Sequence, residues 1–505
     1  MRRSRLCAVL IGAGVTLALG TGGSVASAAS SHPSALATGD ATAATVARAR
    51  GSALGGTWGT AVEVPGTAAL NQGGNAQTIS VSCASPGNCG VGGYYTDRSG
   101  NLQAFVVNQA RSTWGTAEEV PGTAALNQGG DAGVAQVSCA SAGDCSAGGH
   151  YVDGSGNYQA FVVSETHGTW GTAGEVAGTA ALNQGGSAGV RSVSCASAGN
   201  CSAGGYYTDG SGDLQAFVVS ETDGTWRKAE EVPGTAALNQ GGDATLASVS
   251  CASAGNCSAG GYYTDSSDNG QVYVVSETDG SWGKAEEVPG TAGLDQGGFL
   301  DAQVEAVSCA SAGNCSAVGT YAGNGNGAAL AFVVSQTHGT WGTAEEVPGT
   351  AALAQDGVAQ GFSVSCRAPG DCSAGGSYVD GSGNSQAFVA SETDGTWRNA
   401  QEVPGTAALN QAGLATTDSV SCGAAGNCSA AGSYKDGSGK FQPFVVSETD
   451  GSWRNAREVP GTATLNQGGD AIVNSVSCAP PCGCTAGGYY TDGSGHSQAF
   501  VVTRS

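Results

Sequence analysis

Charge is scarce in this sequence, and so are the side chains on which most chemistry depends. Only 12% of its 505 residues are Asp, Glu, Lys or Arg, and it holds five histidines, four lysines and one methionine. The basic class is the thinner one, with 18 Lys and Arg against 41 Asp and Glu for a net charge of −23. That balance excludes the positive footprint of a nucleic-acid binder. No HExxH or phosphate loop occurs. No nucleophile, histidine and carboxylate constellation stands out either, so the chain reads as non-catalytic. Beyond the N-terminus no stretch approaches 18 apolar residues, which excludes a membrane-spanning helix. Helical periodicity is missing too, and 86 glycines would interrupt helices. What remains is plentiful in small and apolar residues. The hydrophobic content of 40% suffices for a packed core.

The first residues are unlike the rest. Arg2, Arg3 and Arg5 precede an apolar stretch from Leu6 to Gly20, and Ala26-Ser27-Ala28 forms an A-x-A cleavage signal. This pattern predicts a secretory signal peptide over 1–28 and an extracellular, disulfide-permissive destination. Residues 29–54, rich in Ala, Ser and Thr, read as a linker or pro-segment.

Residues 55–505 are one unit written eight times. The tryptophans at 58, 114, 170, 226, 282, 341, 397 and 453 recur every 56 residues, apart from one interval of 59. Each unit carries four strand candidates. In the second unit they are the segment from Trp114 to Pro121, then 134–139, 145–152 and 159–165. Asp-Gly in SETDGTW (220–226) and DGSGN (153–157) supply tight turns between strands. Four strands in 56 residues, eight times over, predict an all-β fold, an eight-bladed β-propeller of four-stranded antiparallel blades. The first unit lacks a strand before its tryptophan, and the last ends at QAFVVTRS without one after it. Pairing 499–502 with 57–64 would complete both, close the ring and remove its exposed edges.

Each unit also carries C-x5-C: Cys83/Cys89, Cys139/Cys145, Cys195/Cys201, Cys251/Cys257, Cys309/Cys315, Cys366/Cys372, Cys422/Cys428 and Cys478/Cys484. The pairs flank the turn between the second and third strand candidates. No histidine recurs beside them, so they read as disulfides stapling a hairpin end rather than as zinc ligands. Cys482 is an odd thiol, replacing a turn glycine.

With VSVSC innermost, the CASAGNC and SETDGT turns share one face of the ring. The VPGTAALNQGGDA and DGSGN connections share the other. On that second face Asn127/Gln128, Asn183/Gln184 and Asn239/Gln240 recur near Tyr151 and Tyr207. Amides beside aromatic rings suit sugar hydroxyls and ring faces, and such amides also satisfy loop backbone. DGSGN places oxygens at alternate positions, Asp153, Ser155 and Asn157, as a calcium loop begins. It lacks the downstream bidentate glutamate, so it reads first as a plain turn. No cofactor is implied, and calcium is the one metal left to test. The Glu-Glu pairs at 118–119 and 230–231 point to opposite sides of a strand and read as solvated surface. Departures from the repeat are few. Arg191 and Arg367 lie near inner strands, and the fifth unit adds Asp301 and Glu305.

The blocks SVSCASAGNCSAGGYY (192–207) and QAFVVSETDGTW (215–226) resemble secreted paired-cysteine propeller repeats of high-GC Gram-positive bacteria. That resemblance implies an extracellular propeller and no particular activity. The SETDGTW turn is also similar to the Asp-box of sialidases, with one residue fewer between Asp and Trp. Sialidases use an arginine cluster that is absent here, so no catalytic residue carries over. The expectation is a secreted, non-catalytic binding or scaffold propeller for an extracellular glycan. The alternatives are a glycan-processing hydrolase or lyase centred on the fifth unit, and a protein-binding module. No nucleic acid and no membrane span are expected as partners.

Overall fold

In the computed structural model, which describes residues 56–294, 302–323, 328–480 and 483–504, the chain forms eight four-stranded antiparallel blades arranged in a ring. Residues 1–28, read above as a signal peptide, the 29–54 segment, Asp301 and Cys482 lie outside the described residues. Among the described residues, no helix is long and apolar enough to cross a membrane.

Blade 3 shows how sequence becomes blade. The inner strand Ala188–Ser197 pairs with Asn200–Thr208, which pairs with Leu214–Thr222. The first hairpin turns through Gly199 at φ 68°. The third strand then turns through Asp223 and Gly224, at φ 49° and 76°. Left-handed geometry at both positions is the two-residue turn whose twist matches that of the strands. The expected single outer strand is two short ones, Thr225–Trp226 and Glu230–Glu231, both pairing with the third strand. A helical turn, Thr235–Leu238, then leads to blade 4. Hydropathy periodicity could not reveal it, because four residues make barely one turn. It is held by the Thr235 hydroxyl, which donates to the Val232 carbonyl at 2.7 Å.

Closure occurs where the interrupted repeat predicts it. Val62 and Glu63 pair with Val501 and Phe500 of the last blade, and Trp58 bridges Arg504. Apolar side chains fill the junctions between blades. Ala160 and Val162 of blade 2, for example, pack with Val190, Val193, Phe217 and Val219 of blade 3.

Two features of the inner layer explain the near-invariant SVSC and AGG segments. Each Cys N–H of an inner strand donates to a serine Oγ of the preceding blade. These bonds run from Cys139 to Ser82 around to Cys83 and Ser477, at 2.8–3.0 Å. Inner strands of different blades share no ladder, so this serine supplies the partner that a buried N–H requires. In the second strand, a Cβ on Gly204 would lie 2.7 Å from Leu246 of blade 4, and one on Gly205 would collide with the Gly189 carbonyl. The first glycine lets the next blade approach, and the second lets the strand pass its own partner.

All eight cysteine pairs form disulfides across the first hairpin of their blade, with Cα atoms 3.9–4.0 Å apart. They are Cys83–Cys89, Cys139–Cys145, Cys195–Cys201, Cys251–Cys257, Cys309–Cys315, Cys366–Cys372, Cys422–Cys428 and Cys478–Cys484. The structure corrects one part of their expected role. They are more than staples at a hairpin end, because every one of these cysteines is buried and the second sulfur of the pair sits at a blade junction. Cys315 Sγ lies 3.4 Å from Ser258 Oγ, Cys372 Sγ 3.4 Å from Ser316 Oγ, Cys428 Sγ 3.4 Å from Ser373 Oγ and Cys484 Sγ 3.5 Å from Ser429 Oγ. Each hydroxyl belongs to the preceding blade. Cys201, Cys257 and Cys89 meet Ser146, Ser202 and Thr485 in the same way, at 3.4 Å. Cys145 faces Gly90 instead, whose missing side chain makes room for it. Cysteine spacing reveals the bond within a blade but not this contact, which depends on the neighbouring blade.

Candidate functional site

The two faces divide as the loop assignment requires. Gly224 N–H donates to the Gly199 carbonyl, joining the SETDGT and CASAGNC turns on one face, while Gly185 N–H donates to Thr208 O on the other.

On the second face the structure changes the meaning of the repeated asparagines. Asn183 is buried. Its Nδ2 donates to Tyr158 O and Gln159 Oε1, both at 3.0 Å, and its Oδ1 accepts Ser187 N–H at 2.7 Å. Asn127 and Asn239 make the equivalent three bonds. These amides staple each connecting loop to the preceding blade and present nothing to a sugar. Tyr151 and Tyr207 are only 4% and 3% exposed. The Tyr207 hydroxyl donates to Glu231 Oε2 at 3.2 Å. Burial, reinforced by that carboxylate, raises its pKa well above the ordinary tyrosine range. The second glutamate of each pair is therefore a tyrosine partner rather than solvated surface, while Glu230 is exposed. Gln128, Gln184 and Gln240 remain at the surface, each amide donating to its own helical turn at 3.3 Å.

The DGSGN loop is a turn held by its aspartate. Asp153 Oδ1 accepts Ser155 and Asn157 N–H at 2.8 and 3.0 Å, and Oδ2 accepts Gln159 Nε2 at 2.9 Å. Those donors, Gln159 first, hold the carboxyl below its usual range. They also place positive dipoles around the oxygens a cation would need.

On the first face each junction carries a polar clamp. Glu221 of blade 3 accepts Ser146 and Ser164 hydroxyls of blade 2 at 3.3 and 2.7 Å, and Trp226 Nε1 donates to the same Ser164 at 3.0 Å. Burial raises the Glu221 pKa, against the pull of the two serines. The corresponding side chain is Glu165, Glu277, Glu392 or Glu448 in other blades, Gln109 and Gln336 in two, and Arg504 in the last. Clefts of about 230 and 320 Å3 open beside these clamps at the junctions of blades 3 and 4 and of blades 1 and 2. The first is lined by residues common to the repeat, while the second also takes in Asn108, Gln109, Arg111 and His167, which depart from it.

A second set of departures from the repeat lies on the inner strands. Every inner strand has a register shift just before its S-V-S-C segment. The residue inserted there belongs to neither face of the blade. It is only partly exposed, between buried neighbours, and belongs to the innermost strand of its blade, the strand nearest the ring axis. Around the ring these residues are Ile79, Ala135, Arg191, Ala247, Glu305, Phe362, Asp418 and Asn474. This column varies strongly in charge and size, just before the near-invariant V-S-C segment. Asp418 stands four blades from Arg191, hence opposite it, and Glu305 lies midway between. The Arg191 guanidinium sits 5.1 Å from the centre of the Tyr206 ring. Asn474 Nδ2 donates to Thr78 O of the next blade at 2.8 Å. Asp418 accepts the Thr416 and Ser433 hydroxyls at 3.0 and 3.4 Å. Burial within the ring pushes Asp418 up to about 7. It pushes Glu305 to about 7 as well, with the Arg191 charge opposing.

No family model and no curated protein matches this sequence. Among solved structures, a protein of unknown function from Dyadobacter fermentans superposes with a TM-score of 0.34 at 13% identity, covering 62% of this chain and 93% of its own. The Hadza microbial sialidase Hz136 gives 0.35 at 11% identity, covering 87% of this chain and 67% of its own. Chaetomium thermophilum Sqt1 bound to the N-terminus of ribosomal protein L10 gives 0.37 at 13%, covering 69% and 79%. Scores this low carry no inference about this chain.

Sequence reading had singled out Arg191 and Glu305 as departures from the repeat, but not Phe362, Asp418 or Asn474. Aligning the eight units on S-V-S-C would have found them. That signal becomes a site only once the ring is closed.

Proposed function

We propose that the protein is an exported, non-catalytic binding propeller that takes an extracellular carbohydrate at its axis, one per chain. It would belong with the secreted paired-cysteine propeller repeats that its SVSCASAGNCSAGGYY block resembles. The observation that carries the axial reading is the variable column. An arginine, two carboxyls and an amide, with Phe362 and the Tyr206 ring, stand on the innermost strands in a column where eight similar blades differ. Planar polar side chains that donate and accept hydrogen bonds, beside aromatic faces, are what sugar hydroxyls and pyranose rings need. The eight disulfides suit an oxidising destination. The repeated asparagines support no eight-site lectin, because their amides are already engaged.

The test is calorimetric titration of the mature chain against a glycan panel, with and without calcium, while product release is followed by chromatography. One bound oligosaccharide per chain without turnover is the expected result. Loss on chelation would make the DGSGN loops metal sites after all. Product formation would replace the binding reading with a hydrolase or lyase. Absence of binding across the panel would leave a protein partner as the better account.

A further inference from the structure

The axial site is asymmetric in charge, and its one cation, Arg191, has no carboxylate in contact with it among the described residues. Arg191 makes no ion pair within 4 Å among the described residues, and its Nε is buried without a hydrogen-bond partner. A guanidinium presents its donors in a planar fork that matches a carboxylate. Stacking on Tyr206 orients the group without satisfying those donors. In a chain with 41 acidic residues, a half-buried arginine with no acid in contact is conspicuous. The same column holds Glu305 and Asp418; Glu305 feels the Arg191 charge, and neither carboxyl makes contact with it among the described residues.

We propose that the axial ligand is an anionic sugar, a uronic-acid-containing oligosaccharide whose carboxylate engages Arg191 while its hydroxyls meet Glu305, Asp418 and Asn474. The inference rests on the carbohydrate reading above and narrows it. The chemistry is recognition only; no bond is made or broken. Ala247 is the bulge residue between Arg191 and Glu305, and Phe362 the one between Glu305 and Asp418, so small and apolar side chains separate the charges.

The geometry carries a pH dependence. The charged or titratable side chains that inner strands bring to the ring are Arg191, Glu305 and Asp418, with Arg367 at the far hairpin end of its strand. The second strands add Tyr94, His150, Tyr206, Tyr262 and Tyr489. Of these, His150 faces Asp131 at 3.4 Å and the Tyr262 hydroxyl donates to Asp243 at 3.2 Å. Glu305 and Asp418, both raised to about 7, are largely neutral donors in mild acid, leaving Arg191 to set a net positive site. Above neutrality both ionise and the site becomes net negative. An anionic sugar is then bound in mild acid and released in base.

The experiment titrates the mature chain with a galacturonate hexasaccharide and with its carboxyl-reduced, neutral counterpart, at about pH 5.5 and about pH 8.5. The acidic form is expected to bind about tenfold more tightly at the lower pH, the equivalent of one unit of pKa coupling, and more tightly there than the neutral form. Arg191→Gln should erase the preference between the two forms. Glu305→Gln with Asp418→Asn should flatten the pH profile for the acidic one. Ala135 and Ala247 stand at the same bulge in other blades, so the fold accepts small side chains there, and a circular dichroism melt checks each variant. Equal binding of the two forms, or a preference surviving in Arg191→Gln, overturns the anionic-sugar inference and leaves the carbohydrate reading standing. If neither form binds at either pH while another glycan of the panel does, this inference alone fails. If nothing binds, both fail.

Discussion

At the residue scale, polar side chains in this propeller do two jobs that look alike in sequence. Asn183 and Gln184 are neighbours and recur together, yet the first is a buried staple and the second is at the surface. The clamp glutamates show what such burial costs. Glu165 of blade 2 is 3% exposed and accepts the Asn108 amide, but blade 1 has Gly90 and Asn108 where the other blades have two hydroxyl side chains. Its Oε2 is left without a donor, and burial, with the nearby Asp144 charge, raises its pKa to about 7. A carboxyl whose pKa is higher folded than unfolded penalises the fold when ionised. That penalty is full above about pH 7 and gone below the unfolded value near 4.5. The turn aspartates act oppositely, since their lowered pKa values stabilise the fold until the pH falls below about 3.8. Stability should therefore peak at about pH 4 to 5 and decline toward pH 8. Glu165→Gln, which copies the Gln109 and Gln336 already present at this position, should raise the melting temperature at pH 8 and change it little at pH 5. Melts of both proteins across that range decide it, and an identical shift at both pH values would show that ionisation is not the cause.

At the element scale, each blade packs through a knob and a hole, and the chain contains one natural reversal. Gly92, Gly148, Gly204 and Gly260 face Val134, Val190, Leu246 and Val304 of the next blade. Between blades 5 and 6 the large residue is Val318 and the partner is Gly361, where a Cβ would lie 2.5 Å from the Val318 side chain. Two departures from the repeat that look unrelated in sequence thus compensate in space. Gly361→Val alone should overpack the junction and cost roughly 1–3 kcal/mol. Adding Val318→Gly, which restores the common arrangement, should recover most of it. A double-mutant cycle in denaturant reads the coupling, and additive effects would refute the pairing. The paired strands and disulfides of a blade were legible from alternation, Asp-Gly turns and cysteine spacing, because those are local signals. The split outer strand and the TAAL helical turn were not, because two- and four-residue elements are too short to show a period.

At the scale of the whole molecule, closure converts a repeat into a ring. The last blade borrows Val62 and Glu63 from the chain's beginning, and Arg504 stands at its clamp position, donating from Nε to Gly56 O at 3.1 Å and from a terminal nitrogen to Ser429 Oγ at 3.2 Å. A chain starting at residue 66 should leave the edge of the 497–504 strand open. A lower melting temperature and concentration-dependent association in light scattering are then expected. A monomeric, unshifted melt would mean that the ring does not depend on this strand.

The sequence by itself determined the blade, its turns, its disulfides, the number of copies and the point of closure. All of these follow from periodicity and from contacts within about sixty residues. It did not determine which repeated polar groups are free, since that depends on what the preceding blade offers them: Asn183 is engaged because Tyr158 and Gln159 lie against it. Nor did it mark the axis as a place. Arg191, Glu305 and Asp418 lie more than a hundred residues apart in sequence, and only ring closure, with the register shift at each of these positions, sets them around one axis.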